Sequence, residues 1–136
     1  MFGSSKNNKP QNRIDCLIGA GTTIEGDITF GGGLRVDGHV RGNVVAAEGK
    51  PGTLVLSEQA HIEGEIRVSH AVINGTVVGA VHAAEYAELQ AKANVTGDVY
   101  YSTLEMQLGA IVQGRLVYLP EGKSDKVVQF KPATAD

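Results

Sequence analysis

Four histidines, His39, His61, His70 and His82, are the side chains of this sequence best suited to ligate a metal. Their spacings of 22, 9 and 12 match no compact ligand pattern. His39 and His61 fall at positions that alternate outward beside apolar residues, so both are expected on the surface. The carboxylates Glu25, Asp27, Glu63, Glu65 and Asp98 flank glycines of a recurring motif. Acid-base catalysis would require them inside a cleft that shifts their pKa values. The same alternation instead puts them on an open convex wall, a solvated acidic stripe or a dock for a basic partner. Gly19-Ala20-Gly21 and Gly31-Gly32-Gly33 could cradle a phosphate only if a Lys-Ser/Thr pair and a helix followed, and neither does. Both clusters are expected to be corners. Cys16 is the single cysteine and is expected to be a small core group. No catalytic residue, metal, cofactor or nucleotide is expected.

The elements that carry these residues follow from one repeated pattern, apolar-x-Gly-x-apolar. It occurs as Ile24-Glu25-Gly26-Asp27-Ile28, Val36-Asp37-Gly38-His39-Val40, Ile62-Glu63-Gly64-Glu65-Ile66, Ile73-Asn74-Gly75-Thr76-Val77, Val95-Thr96-Gly97-Asp98-Val99 and Val112-Gln113-Gly114-Arg115-Leu116. With Gly26, Gly42, Gly64, Gly79, Gly97 and Gly114 as equivalents, the intervals are 16, 22, 15, 18 and 17. The long interval contains Glu48-Gly49-Lys50-Pro51-Gly52, a loop insertion by its Pro and Gly content. A period near 17 to 18 suits a coil of three short strands and three tight corners. Period-2 alternation sends the two apolar residues and the glycine inward, where a Cβ would clash with a neighbouring strand. About six coils at the roughly 4.8 Å strand spacing make a rod about 30 Å long. The stretch from Ala83 to Lys92 has weak helical periodicity and is read as a further coil with alanine-filled corners.

Composition agrees with this architecture. The chain has 136 residues, 42% of them hydrophobic, yet it holds 18 Gly, three Phe and no Trp. Its core must therefore be built from small and β-branched residues. No apolar run approaches the roughly 18 residues of a membrane-spanning helix. Residues 1–13 carry Lys6, Lys9 and Arg13 with no acid, whereas residues 14–120 hold six basic and twelve acidic residues. Such an acidic body excludes a nucleic-acid partner, because phosphate contacts need a basic surface. The N-terminus lacks the apolar stretch of a secretory signal, so the cytoplasm is the expected address.

Three regions are expected: a disordered basic tail over 1–13, a β-helix over 14–120, and a polar C-terminal tail over 121–136 with the apolar segment Val127-Val128-Gln129-Phe130. No amphipathic helix caps the repeat at either end. Open solenoid ends present unpaired backbone and apolar side chains, so they are expected to pair with other copies of the chain. The expected polymer interface is Ile18 and Ile24 on the first coil, Tyr118 and Leu119 on the last, and Phe130, which either caps its own chain or enters the facing subunit. Met1 and Phe2, followed by Lys6, Lys9 and Arg13, have the make-up of a shallow anchor in an anionic leaflet.

The stretch from Ile18-Gly19-Ala20-Gly21-Thr22-Thr23-Ile24-Glu25-Gly26-Asp27-Ile28 through Val112-Gln113-Gly114-Arg115-Leu116 resembles the bactofilins, a bacterial cytoskeletal family. The tail beginning Met1-Phe2 with nearby lysines is also similar to tails in that family. The resemblance implies an all-β, right-handed, three-sided parallel β-helix that polymerises without nucleotide through its terminal coils. It further implies attachment to the inner face of the cytoplasmic membrane and scaffolding of cell-wall enzymes and of shape or polarity factors. The rival readings are a hexapeptide-repeat acyltransferase, suggested by the six-residue step from Ile18 to Ile24, and a solenoid adaptor that does not polymerise. The six-residue beat is lost after Phe30.

Overall fold

The computed structural model describes residues 14–49 and 51–120. Strand β1 (Cys16–Ile18), β2 (Thr23–Glu25) and β3 (Ile28–Phe30) make the first coil of a solenoid. The second coil is β4 (Gly32–Val36), β5 (His39–Arg41) and β6 (Val44–Ala46). Strands β7 (Gly52–Leu56) and β8 (His61–Glu63) with the first half of β9 (Ile66–Ile73) form the third. From there the long strands β9, β11 (Val81–Leu89) and β13 (Val99–Met106) each turn a corner and serve two successive coils. The remaining walls are β10 (Thr76–Val78), β12 (Asn94–Thr96), β14 (Ile111–Gln113) and β15 (Leu116–Tyr118). Six coils result, and every strand pairing between them is parallel. One wall is the six-stranded sheet β14-β12-β10-β8-β5-β2, and the nine-stranded sheet bends to supply the other two.

The core is a set of vertical ladders of inward side chains. Val40, Ile62, Val77 and Val95 form one, Val44, Ile66, Val81 and Val99 a second, and Val36, Leu56, Ile73 and Leu89 a third. All twelve are fully buried. β-Branched residues fit here because they pack well on a pleated surface and their neighbours above and below are of like shape. Ala83, Ala87 and Ala93 are buried too, so the stretch that mimics a helix in sequence is a strand, β11, followed by a turn.

Two kinds of corner explain the uneven repeat length. One corner is closed either by a four-residue turn, as where Ala60 N donates to Ser57 O at 3.0 Å, or by a bare pair such as Asp37-Gly38 or Asn74-Gly75. A second corner always carries the motif glycine. There Gly97, at φ +147°, lies directly over the carbonyl of Gly79, and any Cβ on it would collide with that oxygen. Its amide also donates to Gln113 O of the next coil at 3.1 Å. The glycine is thus required both by its backbone angle and by close axial stacking.

Candidate polymer interface

The ladders end where the solenoid ends. On the last coil the inward register passes to Met106, Val112 and Leu116, and Met106 and Leu116 are exposed. Ile111 and Tyr118 stand beside them, with Tyr118 61% exposed. At the other end Ile24 and Ile28 are half-buried, and Ile14 and Leu17 are exposed. Strands β1, β2 and β3 below, and β14 and β15 above, have a free edge among the described residues. Among the described residues, each end therefore offers apolar side chains together with a row of unpaired backbone donors and acceptors, a combination able to accept a further strand.

The last coil is tied to the one before it by side-chain and backbone hydrogen bonds. The Arg115 amide donates to Asp98 Oδ1 at 2.9 Å and its guanidinium to Oδ2 at 3.1 Å. These bonds, the backbone amide first, hold the Asp98 carboxyl below the usual carboxylate range. Ser102 Oγ, within β13, donates to Leu119 O at 2.9 Å, and Leu119 N donates to Tyr101 O at 2.6 Å. The Tyr101 and Tyr118 rings meet edge to face at 6.1 Å.

Of the residues expected at the interface, Tyr118 is exposed, Leu119 and Ile24 are half-buried, and Ile18 is only 6% exposed. Ile18 thus offers a neighbour far less surface than Leu17, which is 58% exposed. Met1, Phe2, Lys6, Lys9, Arg13 and Phe130 lie outside the described residues. Cys16 corrects an expectation. It occupies the inward register under Leu34, yet it is exposed, because it lies near the start of the first strand, where no described residue covers it from below, whereas Ile18 further along the same strand is buried.

Reasoning from sequence missed the side chains that the coils bring together. His39 and His61 face each other across β5 and β8 with ring centroids 4.5 Å apart. Both stand three residues before a motif glycine, Gly42 and Gly64, which is the signal that raw spacing hid. His82 and Tyr100 are likewise both three residues after one, and their rings stack at 4.4 Å. The acidic stripe is broken by partners: Arg41 pairs with Glu25 at 3.3 Å and Arg67 with Glu65 at 3.3 Å.

Among the described residues, no helix is long and apolar enough to cross a membrane. A parallel β-solenoid with a closed apolar core, whose terminal coils expose apolar side chains among the described residues, defines a structural repeat protein. The bactofilin family model, described as polymer-forming cytoskeletal, matches residues 16–117, and the chain belongs to that family. It is 27% identical over 105 residues to bactofilin BacP of Myxococcus xanthus (strain DK1622), a match covering 77% of this chain and 42% of that protein. It is 26% identical over 100 residues to bactofilin BacO of the same organism, covering 74% of this chain and 76% of the other. The chain thus spans less than half the length of the first relative and about three-quarters of the second. No solved structure matches.

Proposed function

We propose that this chain assembles end to end, without nucleotide, into filaments that lie on the inner face of the cytoplasmic membrane and hold cell-wall or polarity proteins there. The observation that carries this reading is the pair of terminal coils whose core ladders end in uncovered apolar side chains. Covering three or four of them, at roughly 1.5 to 3 kcal/mol for each side chain fully buried, competes with an association cost of about 4 to 15 kcal/mol. Strand-edge hydrogen bonds, at about 0.5 to 1.5 kcal/mol each, add to the gain. Membership of a polymer-forming family supports the same reading. Membrane attachment rests on the composition of residues 1–13, with Phe2 near three unopposed positive charges.

Electron microscopy of the purified full chain in nucleotide-free buffer tests the proposal. Filaments are expected. Monomers alone at high micromolar concentration would overturn it.

A further inference from the structure

We propose that His39, His61 and Glu63 form a binding site for a divalent transition cation of the zinc type on the outer wall of the second and third coils. One ligand atom from each of the three residues lies within 4.8 Å of the others. The arrangement follows from the fold. His39 and His61 are register partners on β5 and β8, and Glu63, two residues along the same strand, points out of the same face. His61 Nε2 is already 3.1 Å from Glu63 Oε2.

The donor chemistry selects the ion. Two imidazole nitrogens and one carboxylate oxygen suit zinc, nickel or copper, whereas magnesium and calcium prefer all-oxygen shells. A zinc ion about 2.0 to 2.1 Å from each nitrogen needs its donors roughly 3 to 4 Å apart. Glu63 and His61 meet that already. The remaining closure, under about 2 Å, is within reach of side-chain rotation on a half-exposed wall. His39 and His61 are partly buried and Glu63 is exposed, so the site is open enough to fill and firm enough to hold its rings in place.

The neighbouring charge is accommodated as well. Arg41 stands beside Glu63 in register, and a free guanidinium there would repel a cation. It is turned instead to Glu25, at 3.3 Å, on the first coil. That leaves the Glu63 carboxylate to the histidines. Three protein ligands leave a fourth position for water.

A cation here would tie the second coil to the third across the loop insertion between β6 and β7. Its three ligands lie on a side wall of the second and third coils and none on a terminal coil, so the inference stands or falls apart from end-to-end assembly.

The test is titration calorimetry of the full chain, stripped by chelator, with zinc chloride, and separately with magnesium chloride. Saturable zinc binding at one ion per chain is expected, with none for magnesium and an unfolding midpoint several degrees higher in zinc. His39→Ala, His61→Ala and Glu63→Gln should each weaken binding at least tenfold. His70→Asn and His82→Asn should leave it unchanged. Cobalt should give the visible bands of a tetrahedral site in the wild-type chain and lose them in His61→Ala. Absence of saturable zinc binding would overturn the site, and so would equal affinity in the His39→Ala, His61→Ala and Glu63→Gln chains.

Discussion

His82 and Tyr100 are register partners on β11 and β13, with rings 4.4 Å apart and 2° from parallel. Burial lowers the His82 pKa from 6.5, the Arg67 guanidinium lowers it further, and Glu65 opposes both. The folded wall therefore favours the neutral form of the stacked ring. Since the folded value lies below the unfolded one, the unfolded chain takes up more protons as pH falls. The stability owed to this group is complete above pH 6.5 and is lost as pH falls through the folded value. Urea midpoints between about pH 7.5 and 5 should fall in the wild type and fall less steeply in His82→Gln. Parallel curves for the two would assign the loss to other groups.

The motif glycines make a second, sharper prediction. Gly97→Ala must place a Cβ against the Gly79 carbonyl at a φ of +147°. Unfavourable backbone at about 1 to 3 kcal/mol and overpacking at about 1 to 3 kcal/mol should lower stability by at least about 2 kcal/mol together. Gly21→Ala meets nothing within 4 Å and carries no such angle, so it should be neutral or slightly stabilising. Chemical denaturation of both variants checks the contrast. Equal stability of the two would mean that axial crowding does not select the glycine.

Thr53 is 4% exposed, and its Oγ1 has no hydrogen-bond partner among the described residues. A desolvated hydroxyl without a partner costs about 1 to 3 kcal/mol. Thr53→Val keeps the branched shape and removes that cost, so it should stabilise the solenoid by roughly 1 kcal/mol. A destabilised valine variant would show that the hydroxyl is satisfied.

What the sequence made legible was whatever the repeat fixed locally. Alternation around Gly64, Gly75 and Gly97 placed Ile62, Val77 and Val95 inside, and the uneven glycine intervals located the loop between β6 and β7. Relations along the solenoid axis were harder to read. The interval from His39 to His61 is one coil lengthened by that loop and by the four-residue turn Ser57–Ala60, so counting residues hid a direct contact. Cys16 shows the other limit. Its inward register could be inferred, but burial also depends on what covers that position from below, and at the start of β1 no described residue does.

A tail prediction concerns residues outside the described part of the chain. Each of Lys6, Lys9 and Arg13 contributes about 1 kcal/mol at an anionic surface, and burying Phe2 adds roughly 1.5 to 3 kcal/mol at best. A single tail of that strength would hold weakly, whereas many tails on one filament would bind together and raise retention by orders of magnitude. Deleting residues 1–8 should release the protein from anionic liposomes in co-sedimentation while filaments persist. Equal co-sedimentation of the tailless and full chains would refute the anchor.

The interface itself is tested by charge placed at the ends and in the middle of the rod. Tyr118 is exposed on the last coil and Leu17 on the first, whereas Val78, 44% exposed, lies on the outer wall of β10 between buried coils. All three are uncovered apolar residues, so their substitution by arginine tests position and not hydrophobicity. Tyr118→Arg would force a charge into an end contact that excludes water, and Leu17→Arg, on the outward register of β1 beside Arg35, would place one at the rim of the opposite end. Each should raise the concentration needed for filaments at least tenfold, about 1.4 kcal/mol per contact. Circular dichroism should stay β in both, because neither side chain is part of the buried core. Val78→Arg should polymerise as the wild type does. If Val78→Arg alone abolished filaments in sedimentation, the subunits would associate through a side wall, and the open ends would need another partner.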